Sequence, residues 1–141
     1  MYKSGDLWGI RPGVYSVDAQ LAEAMLNLSN STNDWVLFQV DCSKVSDRNT
    51  LFKCLCAALP MNPLIHSDRS WDALSDSLWG GLHDVRKDKV LIILRGAKNL
   101  KSHLSKEYQK VIEIFGDVAN TLTKKQYAGE KVKSVSIFLV D

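Results

Sequence analysis

The stretch Val90-Leu91-Ile92-Ile93-Leu94 is an unbroken apolar run rich in β-branched residues. Continuous hydrophobicity, as opposed to strict alternation, is typical of a parallel strand with helices on both faces. Residues 35–40 (WVLFQV) and 135–140 (VSIFLV) have the same character. Long helical segments separate the three runs, so the sequence predicts an α/β fold: a small three-stranded parallel sheet with right-handed crossovers and flanking helices.

Three helices are predicted between these strands. The first covers residues 51–59 and must end at Pro60, because proline cannot continue the hydrogen-bond ladder. The second covers about residues 68–79, and we expect Gly80-Gly81 to stop it. The third follows an apolar stripe with steps of three and four residues, formed by Leu104, Tyr108, Val111, Phe115, Val118 and Leu122.

Residues 1–34 are interpreted as an N-terminal extension packed on the main domain, which covers residues 35–141. Glycine and proline predict irregular structure at its beginning, at Gly5, Gly9, Pro12 and Gly13. A short amphipathic helix is expected next, since apolar residues between 17 and 28 recur at helical spacing and Asp18 can cap its start.

The composition fits one globular domain of 141 residues with 45% hydrophobic and 24% charged positions. No apolar run is long enough for a signal peptide or for a membrane span, so we expect a cytoplasmic protein without a membrane partner. The three cysteines cannot all pair within one chain, which favours a reducing compartment. Cys54 and Cys56 lie in an apolar helical pattern and are interpreted as buried small residues; no metal or cofactor site is predicted.

The net charge of +2 is too small to indicate a nucleic-acid partner by itself, but the charges are unevenly distributed. Residues 66–84 contain four aspartates and one arginine. Residues 98–133 contain eight lysines and four acidic residues. We therefore expect a bipolar surface.

The predicted second helix carries an acidic wedge that is expected to face solvent, formed by Asp68, Asp72, Ser75, Asp76 and Trp79. Asp72 and Asp76 lie one turn apart, where like charges repel by roughly a few tenths of a kcal/mol. A cationic partner would compensate this repulsion, and Trp79 is of a residue type enriched at binding hot spots. The alternative is a solvated helix face with no partner.

The sequence from Trp71 to Leu78, WDALSDSL, resembles the acidic-helix motif of the barstar family of ribonuclease inhibitors. The resemblance continues through VIEIF at residues 111–115 and IFLV at residues 137–140, and it spans roughly residues 35–141. It implies a barstar-like fold and an immunity protein that uses its acidic helix as a phosphate mimic in the active site of a toxin, expected to be a ribonuclease.

The resemblance also implies positions of partner contact. Asp72 and Asp76 match the family's two acidic residues on the inhibitory helix, and Asp117 matches an acidic contact position on the later helix. Ser75 stands where the family example has tryptophan, and His66 replaces an aromatic residue in the preceding loop. The loop at residues 61–67 and the 34-residue extension have no counterpart there, which suggests a specialised partner surface.

Two other functions are weighed against inhibition. An enzyme could use His66, His83 or His103, but no nucleophile motif, phosphate loop or metal spacing surrounds them, so no catalytic residue is predicted. A small RNA-binding or regulatory α/β protein could use the basic segment 124–133, with Tyr127 as a stacking residue. A solvated loop is favoured there, and no direct nucleic-acid contact is expected.

Overall fold

The computed structural model describes residues 11–141, which form four strands and six helices. In chain order these are β1 (Gly13–Val17), α1 (Ala19–Asn30), β2 (Trp35–Asp41), α2 (Arg48–Ala58), α3 (Trp71–Asp84), β3 (Lys89–Arg95), α4 (Ala97–His103), α5 (Ser105–Leu122), α6 (Lys125–Ala128) and β4 (Ser134–Val140). The strands form one sheet in the order β1-β4-β3-β2, and every neighbouring pair is parallel. The predicted α/β class is therefore confirmed.

The sheet has four strands where three were predicted. The additional strand, β1, pairs with β4 in the register Gly13↔Ser136 to Val17↔Val140. Irregular structure was expected at Pro12 and Gly13. Pro12 does form a bend before the strand, whereas Gly13 is the first residue of β1, since an edge strand needs hydrogen bonds on one side only. The expectation for Gly5 and Gly9 lies outside the described residues. The division of the chain at residue 34 stays a prediction.

Helices cover both faces of the sheet, which explains the unbroken hydrophobicity of β3. Leu91 and Ile93 point to the face covered by α1, where Ala22 and Met25 pack against them. Val90, Ile92 and Leu94 join the larger core formed with α2, α3 and α5 on the other face. All five central β3 residues are buried. Alternate side chains of a strand point to opposite faces, so a strand buried on both sides must be apolar throughout.

Side-chain caps set the starts of three helices. The Asp18 carboxylate accepts a hydrogen bond from the Leu21 amide at 2.7 Å, as the sequence predicted for α1. Asp47 and Thr50 form a reciprocal capping box at the start of α2. Ser70 caps α3 through the Ala73 amide at 3.0 Å. Helix α3, which carries the acidic residues, therefore begins at Trp71, immediately before Asp72.

Candidate partner-binding site

Asp72 and Asp76 lie on the outer face of α3 and are both exposed. Leu74 and Leu78, on the opposite face of the helix, are buried in the core. Within residues 11–141, neither carboxylate forms an ion pair or a side-chain hydrogen bond. The pair is therefore exposed to solvent without an ion pair to any lysine or arginine of residues 11–141.

Asp68 and Trp79 differ from the predicted solvent-facing wedge. Asp68 precedes the helix, because the Ser70 cap starts α3 three residues later than its predicted beginning. Trp79 is half-buried, and its indole Nε1 donates a hydrogen bond to the Thr121 hydroxyl at 2.9 Å. The Trp79 ring also stacks on His83 with 4.8 Å between ring centroids. Trp79 thus joins α3 to α5 instead of projecting outward.

The contact between Trp79 and Thr121 also indicates which face of α5 carries Asp117. Thr121 follows Asp117 by one turn of α5, and its hydroxyl donates to the Asp117 carbonyl at 2.9 Å. Asp117 and Thr121 therefore share the face of α5 that is next to α3. Asp117 is exposed. We infer that it belongs to the same surface as Asp76, which precedes Trp79 by one turn. Sequence reasoning missed Thr121, although its one-turn spacing from Asp117 was a usable signal.

Gly80 and Gly81 do not stop α3, which continues to Asp84. A Cβ at Gly80 would lie 2.3 Å from the Asn62 carbonyl oxygen, and one at Gly81 would lie 2.0 Å from the Pro60 carbonyl oxygen. The glycines therefore form a notch in which the backbone of the α2–α3 loop crosses the helix. The loop is fixed there by the Asn62 amide, which donates to the Ser77 carbonyl at 2.9 Å, and by the Asn62 side chain, which donates to the Asp84 carboxylate.

The crossing loop leads to two further predicted residues, His66 and Asp68. Both line a cavity of about 380 Å³ between the loop and α2, together with Phe52 and Cys56. Leu64, two residues before His66, has 69% of its surface exposed. A large apolar side chain so exposed, in the loop that leads into the acidic helix, is suited to contact with another protein. Ser75, the remaining predicted residue, is half-buried on α3.

Three of the residues considered for other functions form structural contacts. His83 and His103 lie 2.8 Å and 3.0 Å from the carbonyl oxygens of Ala128 and Asn99, respectively. Lys133, part of the basic segment, is only 5% exposed and donates to the carbonyls of Val85 and Lys87. Segment 124–133 therefore does not present all four of its lysines to a nucleic acid.

The cysteines do not form a reactive pair. Cys42 is buried, and burial raises the pKa of its thiol to about 12. Cys54 and Cys56 are half-buried, and burial raises the pKa of both thiols. In the part of the chain that the structure describes, no group of three or more His, Cys, Asp or Glu side chains is arranged to hold a metal ion. Among these same residues, no helix combines the length and apolar character needed to cross a membrane.

The geometry is that of an α/β protein with two exposed aspartates on one helix, and a comparison with known families agrees with this fold. The model of the family described as "Barstar (barnase inhibitor)" matches residues 35–138. The chain belongs to the barstar family. The search of curated proteins gave no match.

One solved structure resembles the fold, a chain from the Drosophila ORC bound to DNA, with a TM-score of 0.51 and 10% sequence identity. The alignment covers 99% of this chain and 34% of that one, so this chain spans about a third of its length. At such low identity the likeness concerns the fold alone. The alignment with this solved structure extends into the region before residue 35, which the family model does not match.

Proposed function

We propose that this protein is an immunity protein that binds a toxic ribonuclease and blocks its active site with Asp72 and Asp76. The observation that carries the proposal is the exposure of these two carboxylates, one turn apart on α3, without an ion-pair partner in the described chain. Membership of a family of barnase inhibitors supports the same surface and favours inhibition over catalysis.

The charge pattern explains how inhibition would work. Enzymes that cleave RNA bind phosphates through cationic side chains, and a carboxylate is an anion that can occupy the same position. The two aspartates repel each other in the free protein by roughly a few tenths of a kcal/mol. A cationic cleft removes this repulsion and gains two charge-assisted contacts. The inhibitor thus mimics successive phosphates and also excludes the substrate.

The surface around the acidic pair would determine which toxin is bound. Asp117 extends the negative surface onto α5, while the loop before α3 contributes Leu64, His66 and Asp68. Charged contacts chiefly accelerate association and select the partner, and apolar anchors that lose their water contribute much of the affinity. We propose that Leu64 is such an anchor, held in place by the crossing at Gly80 and Gly81.

An inhibition assay tests the proposal directly. Cleavage of a fluorogenic RNA by barnase is measured with increasing amounts of this protein, and the same assay is run with any nuclease encoded in the neighbouring reading frame. We expect tight inhibition of at least one of these enzymes and its loss in the Asp76→Asn variant. Asp34→Asn is the matched control, since it removes an equal charge from an exposed loop away from α3. Equal inhibition by both variants would exclude the acidic helix from the mechanism.

A further inference from the structure

A cavity of about 460 Å³ lies where the first turns of α2, α3 and α5 meet. Its charged and aromatic lining consists of Arg48, Trp71, Lys106, Glu107, Lys110 and Glu113, and we call it the Arg48 pocket. Trp71 immediately precedes Asp72 in the chain. The pocket therefore adjoins the surface that carries Asp72 and Asp76.

The guanidinium of Arg48 lies over aromatic rings and has no anionic partner within residues 11–141. Its central carbon lies 4.8 Å from the centre of the Trp71 ring and 5.5 Å from that of Phe52. Its Nε atom is buried and has no hydrogen-bond partner within the described chain. Buried polar groups in folded proteins are nearly always hydrogen-bonded, and partly buried arginines usually meet a carboxylate. Because Arg48 lines the cavity, its unsatisfied Nε indicates a guanidinium whose donors are not all used by the described chain.

The charges around the cavity favour a small anion. Three cationic side chains line it against two carboxylates. Lys110 is paired with Glu113 at 3.8 Å, whereas no ion pair neutralises Arg48 or Lys106 within residues 11–141. A guanidinium presents a planar fork of donors that fits the two oxygens of a carboxylate, and stacking on Trp71 fixes the plane of that fork.

We propose that the Arg48 pocket is a carboxylate-binding subsite, which takes an acidic side chain of the partner while Asp72 and Asp76 take its cations. The identity of the occupant rests on the proposed function, whereas the affinity for a carboxylate does not. Such a surface recognises a partner with adjacent positive and negative charges and repels one with a uniformly basic surface. The pocket therefore determines specificity among toxins with similar cationic clefts.

The experiment uses the full ¹⁵N-labelled chain and acetate as the probe, at constant ionic strength with acetate replacing chloride. NMR follows the Nε–H signal of Arg48 and the indole N–H signal of Trp71. We expect both signals to shift and saturate in the wild type. In the variants only the Trp71 signal remains, and it should saturate at higher acetate in Arg48→Lys and not saturate in Arg48→Met. Lys125→Met is the control, since it removes an exposed lysine outside the pocket, and should titrate like the wild type.

The outcomes separate this inference from the proposed function. A drift without saturation in the wild type, or saturation with inorganic phosphate but not with acetate, would overturn the carboxylate subsite. A folded Asp76→Asn variant should lose inhibition and still bind acetate. If Arg48→Met and Arg48→Lys both retain full inhibition, the pocket has no role in partner binding, even though the acidic helix does. If they weaken inhibition while the Lys125→Met control does not, the assignment is supported.

Discussion

At the scale of single residues, Lys133 shows how a charge can serve the fold alone. Its ammonium group lies among the carbonyl oxygens of Val85 and Lys87, just after the end of α3, at 2.5 and 2.9 Å. It therefore holds the end of the acidic helix to the chain that leads into β4. From the sequence, Lys133 was grouped with exposed lysines, because composition does not reveal which member of a basic cluster turns inward.

Replacing Lys133 by methionine should lower the free energy of unfolding by about 1–3 kcal/mol, since two carbonyls lose a charged donor. Urea unfolding at neutral pH measures this difference. Lys131→Met, at an exposed position two residues away, is the control and should change little. Equal stability of all three proteins would contradict the structural role of Lys133.

Lys133 also predicts a pH dependence of stability. Burial lowers the pKa of its ammonium group, and the carboxylates of Asp88 and Asp84 partly oppose this effect. The folded state therefore binds the proton less tightly than the unfolded state, in which lysine has its ordinary pKa. Stability from this group rises as the pH increases from the lowered pKa toward the ordinary value. The stability advantage of wild type over Lys133→Met should grow across that alkaline range; a shrinking advantage would contradict the sign.

At the scale of elements, α3 and the loop before it depend on glycine for close approach. The Cβ of an alanine at Gly81 would overlap the Pro60 carbonyl at 2.0 Å, whereas one at Gly116 in α5 would meet nothing within 4 Å. The two positions therefore offer a matched pair of glycine-to-alanine changes inside helices. Comparing the stabilities of the two variants separates the effect of alanine's helix propensity from the effect of loop packing against the helix.

Gly81→Ala should destabilise the protein by about 1–3 kcal/mol or more, because the loop must move away from the helix. Gly116→Ala should stabilise it by about 0.5–1 kcal/mol through the lower conformational freedom of alanine in the unfolded chain. Thermal or urea unfolding measures both changes. A stabilising Gly81→Ala would show that the loop does not cross the helix as described.

The successes and failures of the predictions made from the sequence have physical causes in individual strands and helices. The strand at 90–94 and helix α5 were predictable because their apolar patterns are long and local. The predicted end of α3 at Gly80 and Gly81 was wrong because glycine is favoured both where a helix ends and where another segment crosses it closely. Strand β1 was missed because its pairing with β4 joins distant parts of the chain, which periodicity cannot reveal. The exposed position of Asp72 and Asp76 followed from helical spacing, but the contact of Trp79 with Thr121 depends on how two helices pack.

At the scale of the whole molecule, the acidic residues of the candidate site are concentrated on α3 and at one position of α5. Such a one-sided charge attracts a cationic enzyme before contact and orients its approach. Salt at physiological strength screens this attraction beyond about 8 Å. The rate of association should therefore depend on ionic strength more than the rate of dissociation does.

Stopped-flow association with a nuclease that the inhibition assay identifies should become slower as salt is added. The dependence of the logarithm of the association rate on the logarithm of the salt concentration should have a smaller slope for a variant carrying both Asp72→Asn and Asp76→Asn. Fewer charges then attract the enzyme. The Asp34→Asn control should keep nearly the wild-type slope. Identical salt slopes for the wild type and the double variant would place the attractive charges elsewhere on the molecule.

The two carboxylates of α3 are proposed to occupy the phosphate positions of an active site. Calorimetric titration of a ribonuclease found in the inhibition assay, with and without a saturating nucleotide bound at its active site, tests this most directly. We predict that the nucleotide competes with the wild type, and that the Asp72→Asn, Asp76→Asn double variant binds weakly under both conditions. Wild-type binding that is unaffected by the nucleotide, or undiminished binding of the double variant, would contradict the account.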